Sequence, residues 1–211
     1  ALIGGETAVI PRLFPKGFYH LSGTAFGSAT SRDSLITGER IEPWMRVYGL
    51  PSNGIHSSGF TLVRRVFGLE FDSPRARFQS EKALEKRYDE LKGRMLAQDL
   101  IAPTFIYTGR IARDRKQCRI EGMAHVTGGG IPANLIRILP EGCCALIDVT
   151  SWKRQAIFGL IQKTGELSER TMLETFNCGL GLIAVSHDDM TVLGWTRIGN
   201  IVPGKRSVAL E

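Results

Sequence analysis

The 211-residue sequence has few cysteines, only Cys118, Cys143, Cys144 and Cys178, and no CxxC pair. A chain of this length needs no disulfide staples. Reduced thiols in a cytosolic compartment are therefore expected, and a zinc site is not. No stretch approaches the ~20 consecutive apolar residues that a membrane helix requires, so no membrane partner is expected. There is no signal-peptide pattern, and the first residue is Ala1 rather than Met, which reads as a start part-way into a longer protein. No basic run is interleaved with aromatics, so nucleic acid is not an expected partner. Internal repeats and low-complexity segments are missing. So are a GxxxxGK[ST] phosphate loop and a GxGxxG turn opening a strand-to-helix unit.

What is present is an ordinary globular composition, 43% hydrophobic and 23% charged, long enough to bury a sizeable core. Lys and Arg outnumber Asp and Glu by 27 to 21, a formal charge of +6. The plain reading is a generically basic surface. The sharper one is that part of the excess holds anionic ligands such as phosphates.

Residues 1–11 read as a short apolar entry, a glycine turn and a stop at Pro11. Strands are expected over 21–30 and 44–50, then a turn-rich loop over 52–59 running into a short helix. Residues 80–100 read as the clearest helix, capped by Ser80, with Leu84, Tyr88, Leu91 and Met95 as its apolar stripe. After Pro103 another helix is expected, with Ile106, Ile111 and Ala112 facing inward. RIEGMAHVT, CCALIDV, LGLIAVS and TRIGNIV read as strands. IPANLIRIL, QAIFGLIQKTG and SERTMLETF read as helices, the last capped by Ser168. Alternating elements from about residue 55 predict an α/β (α+β) layer domain, a mixed sheet covered by helices. A domain boundary is placed in the loop at 49–59.

The chemistry gathers in glycine-rich loops: GGET at 4–7, SNGIHSSG at 52–59, HVTGGGIP at 125–132 and FNCGLG at 176–181. The second and third each end where a helix begins. Glycines there let unpaired backbone N–H groups approach an anion without Cβ interference. Pro132 suits a first helical turn. Thr127 can cap the turn or donate to a phosphate, and Ser57 and Ser58 add hydroxyls. His56 and His125 sit in two of these loops, where an imidazole can donate to phosphate and exchange protons near neutral pH. Glu6 can bind Mg²⁺ or a hydroxyl, or cap a turn. Asn134 and Asn177 read as ligand contacts or as structural amides. Cys178 reads as a small packing residue.

Taken in order, the motifs GGETAVIP, SNGIHSSGFTLVRR, LIAPTFIY, GMAHVTGGGIPAN with IRILP, and FNCGLGL resemble one family, the aminoimidazole ribonucleotide synthetases, or phosphoribosylformylglycinamidine cyclo-ligases, of purine biosynthesis. The family pattern runs GGETAEMP, SSGLHSNGYSLVRK, LLAPTRIY, GMAHITGGGLPEN with PR-LP, and FNCGIGM. The resemblance implies a ligase that uses ATP and Mg²⁺ to close the ring of formylglycinamidine ribonucleotide. It also implies a cytoplasmic homodimer of two-domain protomers. Residues 1–48 would be the tail of the N-terminal ATP-binding and dimerisation domain, and 49–211 the C-terminal domain. By this resemblance His56 and His125 are catalytic. Ser57, Ser58, Gly59, Thr127, Gly128, Gly129, Gly130, Asn134, Asn177 and Gly179 bind the ribonucleotide phosphate substrate. Gly4, Gly5, Glu6 and Thr7 lie on the nucleotide and metal side, with Glu6 the metal ligand. Departures stand at Asn53, Ser58, Phe105 and Ala133, where the pattern has Ser, Asn, Arg and Glu. They keep a second reading open, a diverged non-catalytic relative that acts as a binding or assembly subunit.

Overall fold

The computed structural model describes residues 23–211, so the expectations for Gly4, Gly5, Glu6 and Thr7 lie outside the described residues. The chain forms two compact units, one ending at Leu35 and one running from Ile36 to Glu211. In the first, residues 23–35 carry a single 3-10 turn, Arg32–Ser34, and no strand. The strand expected over 21–30 is thus absent from 23–30. Phe26 is 95% exposed there, and a strand without a pairing neighbour or a buried face is not stable.

The second unit is built on a six-stranded sheet: β1 (Arg46–Pro51), β2 (Gly122–His125), β3 (Cys143–Ile147), β4 (Leu180–Ser186), β5 (Thr196–Pro203) and β6 (Ser207–Leu210), in the order β2-β4-β1-β5-β3-β6. All neighbours are antiparallel except β3 and β6. β6 is a strand the sequence did not signal. Both faces are covered, which is why β4 is buried at every position. Alternation divides its side chains: Ile183 and Val185 join the larger core with Val47, while Leu182 and Ala184 join the smaller core with Tyr48 and Leu50.

Seven helices are present among the described residues: α1 (Phe60–Phe67), α2 (Pro74–Glu85), α3 (Leu96–Leu100), α4 (Thr108–Asp114), α5 (Gly130–Leu135), α6 (Ala156–Thr164) and α7 (Glu169–Thr175). The larger core takes Val63 of α1, Ile131 and Leu135 of α5, four residues of α6, and Met172 and Leu173 of α7. The smaller core is closed by Tyr107, Ile111, Cys118, Met190 and Trp195. Ser168 caps α7 as its sequence predicts, accepting from the Thr171 N–H.

The long helix expected over 80–100 is instead two helices. Lys92 and Gly93 adopt left-handed backbone, a 3-10 turn spans Asp89–Leu91, and Arg87 bridges to Met95. The break lets Leu91, Leu96 and Leu100 all enter the core, which a continuous stripe through Met95 could not do. Ser80 is not a cap. It lies buried inside α2, where its hydroxyl donates to the Glu70 carbonyl and accepts from the Glu70 N–H. The α2 cap is Ser73, followed by Pro74 in the first turn. Ile106 is 80% exposed and Ala112 is also exposed; Tyr107 and Asp114 point inward in their place.

The short helix α5 packs against β2 and also against β6, the two outer strands. Arg206, just before β6, donates to the Ile136 carbonyl in the 3-10 turn that extends α5. The loop that opens α5 is therefore anchored from both margins of the sheet.

Candidate functional site

Three of the glycine-rich loops converge on Phe176 and Asn177, which lie between α7 and β4. The Asn177 side chain accepts from the Ser52 hydroxyl (2.9 Å) and the Gly179 N–H (2.9 Å), and donates to the Gly54 carbonyl (2.9 Å). The Ser52 N–H donates to the Gly179 carbonyl, and Gln155 donates to the Ser52 carbonyl. Asn177 is fully buried, so it acts as the brace that ties the 52–59 loop to the 176–181 loop. The Phe176 ring fills the space against Gly59, the α1 cap (φ +82°), where a Cβ would collide with it. Gly179 has φ +103° and lies against the backbone of Arg154.

The glycine run divides by role. Gly130 has φ +63°, and a Cβ on it would collide with the Leu173 carbonyl of α7. Gly129, the α5 cap, has φ +89° and would meet the Ala133 Cβ at 2.6 Å. Gly128 has nothing within 4 Å of the corresponding position. Packing thus accounts for the second and third glycines, and only the first faces open space. Asn134 holds the turn from beneath: its amide donates to the carbonyls of Thr127, Gly128 and Gly130, and its oxygen accepts from the Thr127 hydroxyl. Asn134 and Thr127 therefore shape the loop. The Gly130 N–H is engaged by the Thr127 carbonyl, whereas no described residue accepts from the Gly128 or Gly129 N–H.

His125 ends β2, exposed, with its ring centroid 6.4 Å from that of buried His56. Tyr107 contacts both, at 6.4 Å from His56 and 6.2 Å from His125. Its hydroxyl donates to the Pro51 carbonyl (2.7 Å), and burial pushes the phenol up to about 12. Gly181 makes the arrangement possible, because a Cβ there would collide with the Tyr107 hydroxyl and crowd the His56 ring. His56 has left-handed backbone (φ +55°), a strained setting for a non-glycine residue that often marks function. Its Nε2 lies 2.8 Å from the Asn53 amide oxygen, and its enclosed Nδ1 has no partner. Burial, and then the neighbouring His125, lower the His56 pKa; that of His125 is lowered too, by the protein packed along one side of a ring whose other side is open to solvent. Both imidazoles are therefore neutral near pH 7, suited to accepting protons or hydrogen bonds.

Beside the pair is a hollow of about 230 Å³ lined by Leu50, Pro51, Ser52, Asn53, Phe105, Tyr107 and Arg110. Half-exposed Phe105 packs on Tyr107 with ring centroids 5.0 Å apart. Arg110 is held by Asp114 and by the Leu193 carbonyl. Ser57 is exposed, its hydroxyl 3.2 Å from that of Thr104, and Ser58 is half-buried. The described residues contain no group of three or more His, Cys, Asp or Glu side chains fit for a metal ion. Cys178 is fully buried with its thiol pushed up to about 12, the packing residue the sequence suggested. Tyr107, Asn53 and Phe176 were missed in the sequence. All three lie inside the quoted motifs, but the Tyr107 hydroxyl meets its partner 56 residues away, and Asn53 joins His56 to a carbonyl 50 residues away.

These features define an α/β domain in which glycine-rich loops and a pair of histidines are brought together. The family model for the AIR synthase related protein, C-terminal domain, matches residues 45–209, and the chain belongs to that family. It is 41% identical over 186 residues to a phosphoribosylformylglycinamidine cyclo-ligase of Synechococcus sp. (strain CC9605), covering 88% of this chain and 50% of the relative. The like-named protein of Desulfitobacterium hafniense (strain DCB-2) is 41% identical, over 90% of this chain and 52% of its own. That of Caldicellulosiruptor bescii is 37% identical over the whole of this chain and 62% of its own. The chain thus spans about half the length of the curated relatives it matches. Among solved structures, a thiamine-monophosphate kinase from Stenotrophomonas maltophilia K279a aligns with TM-score 0.43 at 16% identity, over 83% of this chain and 52% of that one.

Proposed function

We propose that this chain is the C-terminal half of an ATP-dependent cyclo-ligase that closes formylglycinamidine ribonucleotide to aminoimidazole ribonucleotide. The observation that carries the reading is the two N–H groups of Gly128 and Gly129, engaged by no described residue, in the loop that follows His125 of the imidazole pair. The amides suit the ribonucleotide phosphate. His125 and His56 suit the N–H and O–H groups of the part that reacts. Tyr107 and Phe105 wall the hollow beside the pair. In this reading Ser57 and Ser58 add hydroxyls for the substrate, and Gly59, Gly179, Asn134, Asn177 and Thr127 shape the loops that hold it. ATP, when bound, supplies the phosphoryl group that activates the formyl oxygen. Mg²⁺ is commonly held by one or two carboxylates together with substrate phosphates; Glu6 is the candidate ligand, with Gly4, Gly5 and Thr7 on the same side. The boundary expected at 48/49 would cut β1, so in this reading the C-terminal domain includes all of β1 and residues ahead of it derive from the N-terminal domain, in a cytoplasmic homodimer.

The test is cyclisation by the complete enzyme carrying His125→Ala or His56→Ala. Loss of one general acid or base typically costs about 10²–10⁴ in rate, so kcat/KM should fall at least tenfold in each. If both variants keep wild-type kcat/KM, the site is wrongly placed. An inactive wild type that still binds the ribonucleotide would favour the binding-subunit reading.

A further inference from the structure

His56 is the more enclosed imidazole of the pair, yet no carboxylate among the described residues orients it. Its Nε2 faces three groups of the chain: the Asn53 amide oxygen at 2.8 Å, the Asn53 N–H at 3.3 Å and the Phe105 N–H at 3.5 Å. The first can only accept, and the other two can only donate, so they call for opposite tautomers. The Asn53 side chain decides between them. Its nitrogen donates to the Pro103 carbonyl at 2.7 Å, which turns the amide oxygen toward the ring. The oxygen contact is also the shortest of the three.

We propose that Asn53 is a positioning residue for His56: pinned by the Pro103 carbonyl, its amide oxygen keeps the ring hydrogen on Nε2 and leaves Nδ1 as a bare acceptor. The group this site takes at Nδ1 is then a hydrogen-bond donor, an N–H or O–H, and not an anionic oxygen. The two halves of the pocket divide the ligand by chemistry, with anion on the glycine amides and donor on His56. That the donor belongs to the ribonucleotide substrate rests on the proposed function; the tautomer does not. The titratable groups packed against His56 are His125 from β2 and Tyr107 before α4. Arg110, across the hollow, is neutralised by Asp114. None of these holds a proton on Nδ1.

The test is ¹⁵N-histidine NMR on the 211-residue chain, wild type, Asn53→Ala and Asn53→Asp, with pH titration. The wild type is expected to show His56 protonated at Nε2 and bare at Nδ1. Asn53→Ala should give a mixture of tautomers. Asn53→Asp keeps an acceptor and adds a negative charge, which favours imidazolium, so the His56 midpoint should rise by about one pH unit. In the complete enzyme the acid limb of kcat/KM should move up with it. A wild-type hydrogen on Nδ1, or a tautomer ratio unchanged in Asn53→Ala, overturns the proposal. The expected NMR pattern together with an unchanged kcat/KM in His56→Ala upholds the tautomer and removes only the placement of the substrate.

Discussion

Gly130→Ala is expected to cost about 3–4 kcal/mol of folding stability, with Gly128→Ala in the same loop costing under about 0.5 kcal/mol. At residue 130 two penalties add. The backbone has φ +63°, and left-handed backbone costs an L-residue roughly 1–2 kcal/mol. The new methyl group would also collide with the Leu173 carbonyl, a backbone atom that cannot swing aside. Overpacking of that kind costs about 1–3 kcal/mol. At residue 128 the same methyl meets nothing within 4 Å. Urea denaturation of the two variants checks the contrast. A Gly130→Ala protein within about 1 kcal/mol of wild type would show that α5 and α7 are not locked together as described. Gly128→Ala then becomes the useful probe of the pocket, since it can weaken phosphate binding while leaving the fold intact.

Asp114→Ala should destabilise the domain by about 3 kcal/mol at neutral pH, because it strands the partners of a buried carboxylate. Asp114 is fully buried and accepts from Arg110, Arg113 and the Trp195 indole. Through them it ties α4 to the turn before β5. Arg113 is 60% exposed, so most of the effect comes from Arg110 and Trp195. Burial alone would raise the Asp114 pKa, but the hydrogen bonds from Arg110, Trp195 and Arg113 outweigh it and the value is lowered. A lowered folded-state pKa means the stabilisation is complete above the ordinary carboxylate value of about 4. It is lost as pH falls from there through the lowered value. The wild-type-to-variant gap, measured by denaturation at pH 7 and pH 3, should therefore shrink on acidification. An equal gap at both pH values would mean that packing, not charge, carries it.

The residues that announced themselves in the sequence were those whose reasons are local. Gly59 and Gly129 mark helix starts, Ser168 caps the helix that follows it, and LGLIAVS is apolar throughout because both faces of β4 are covered. Of the five motifs shared with the cyclo-ligases, the four among the described residues each contain a loop or turn of the structure. What was illegible depended on distant partners. Asp114 stands in RIARDRK, a run that looks like a solvated face until Trp195, 81 residues on, donates to it. The stripe through Leu84, Tyr88, Leu91 and Met95 has helical spacing, but burial of Leu91, Leu96 and Leu100 together outweighs it once Lys92 and Gly93 turn the chain. β6 is four residues long and pairs in parallel with β3, so it has no hairpin turn to signal it. Asn134 and Asn177 were open between ligand contact and structural amide. Each has its hydrogen bonds taken up within the loops it braces.

The placement of α5 against both outer strands has a mechanical side. Loosening β2 takes away part of what seats α5, and α5 in turn steadies β6 beside its ladder with β3. The shortest route for stress from the glycine turn to the far strand thus bypasses the middle of the sheet. A ligand held at Gly128 and Gly129 is expected to steady both margins through α5, including β6, the strand farthest from β2 and His125 in sheet order.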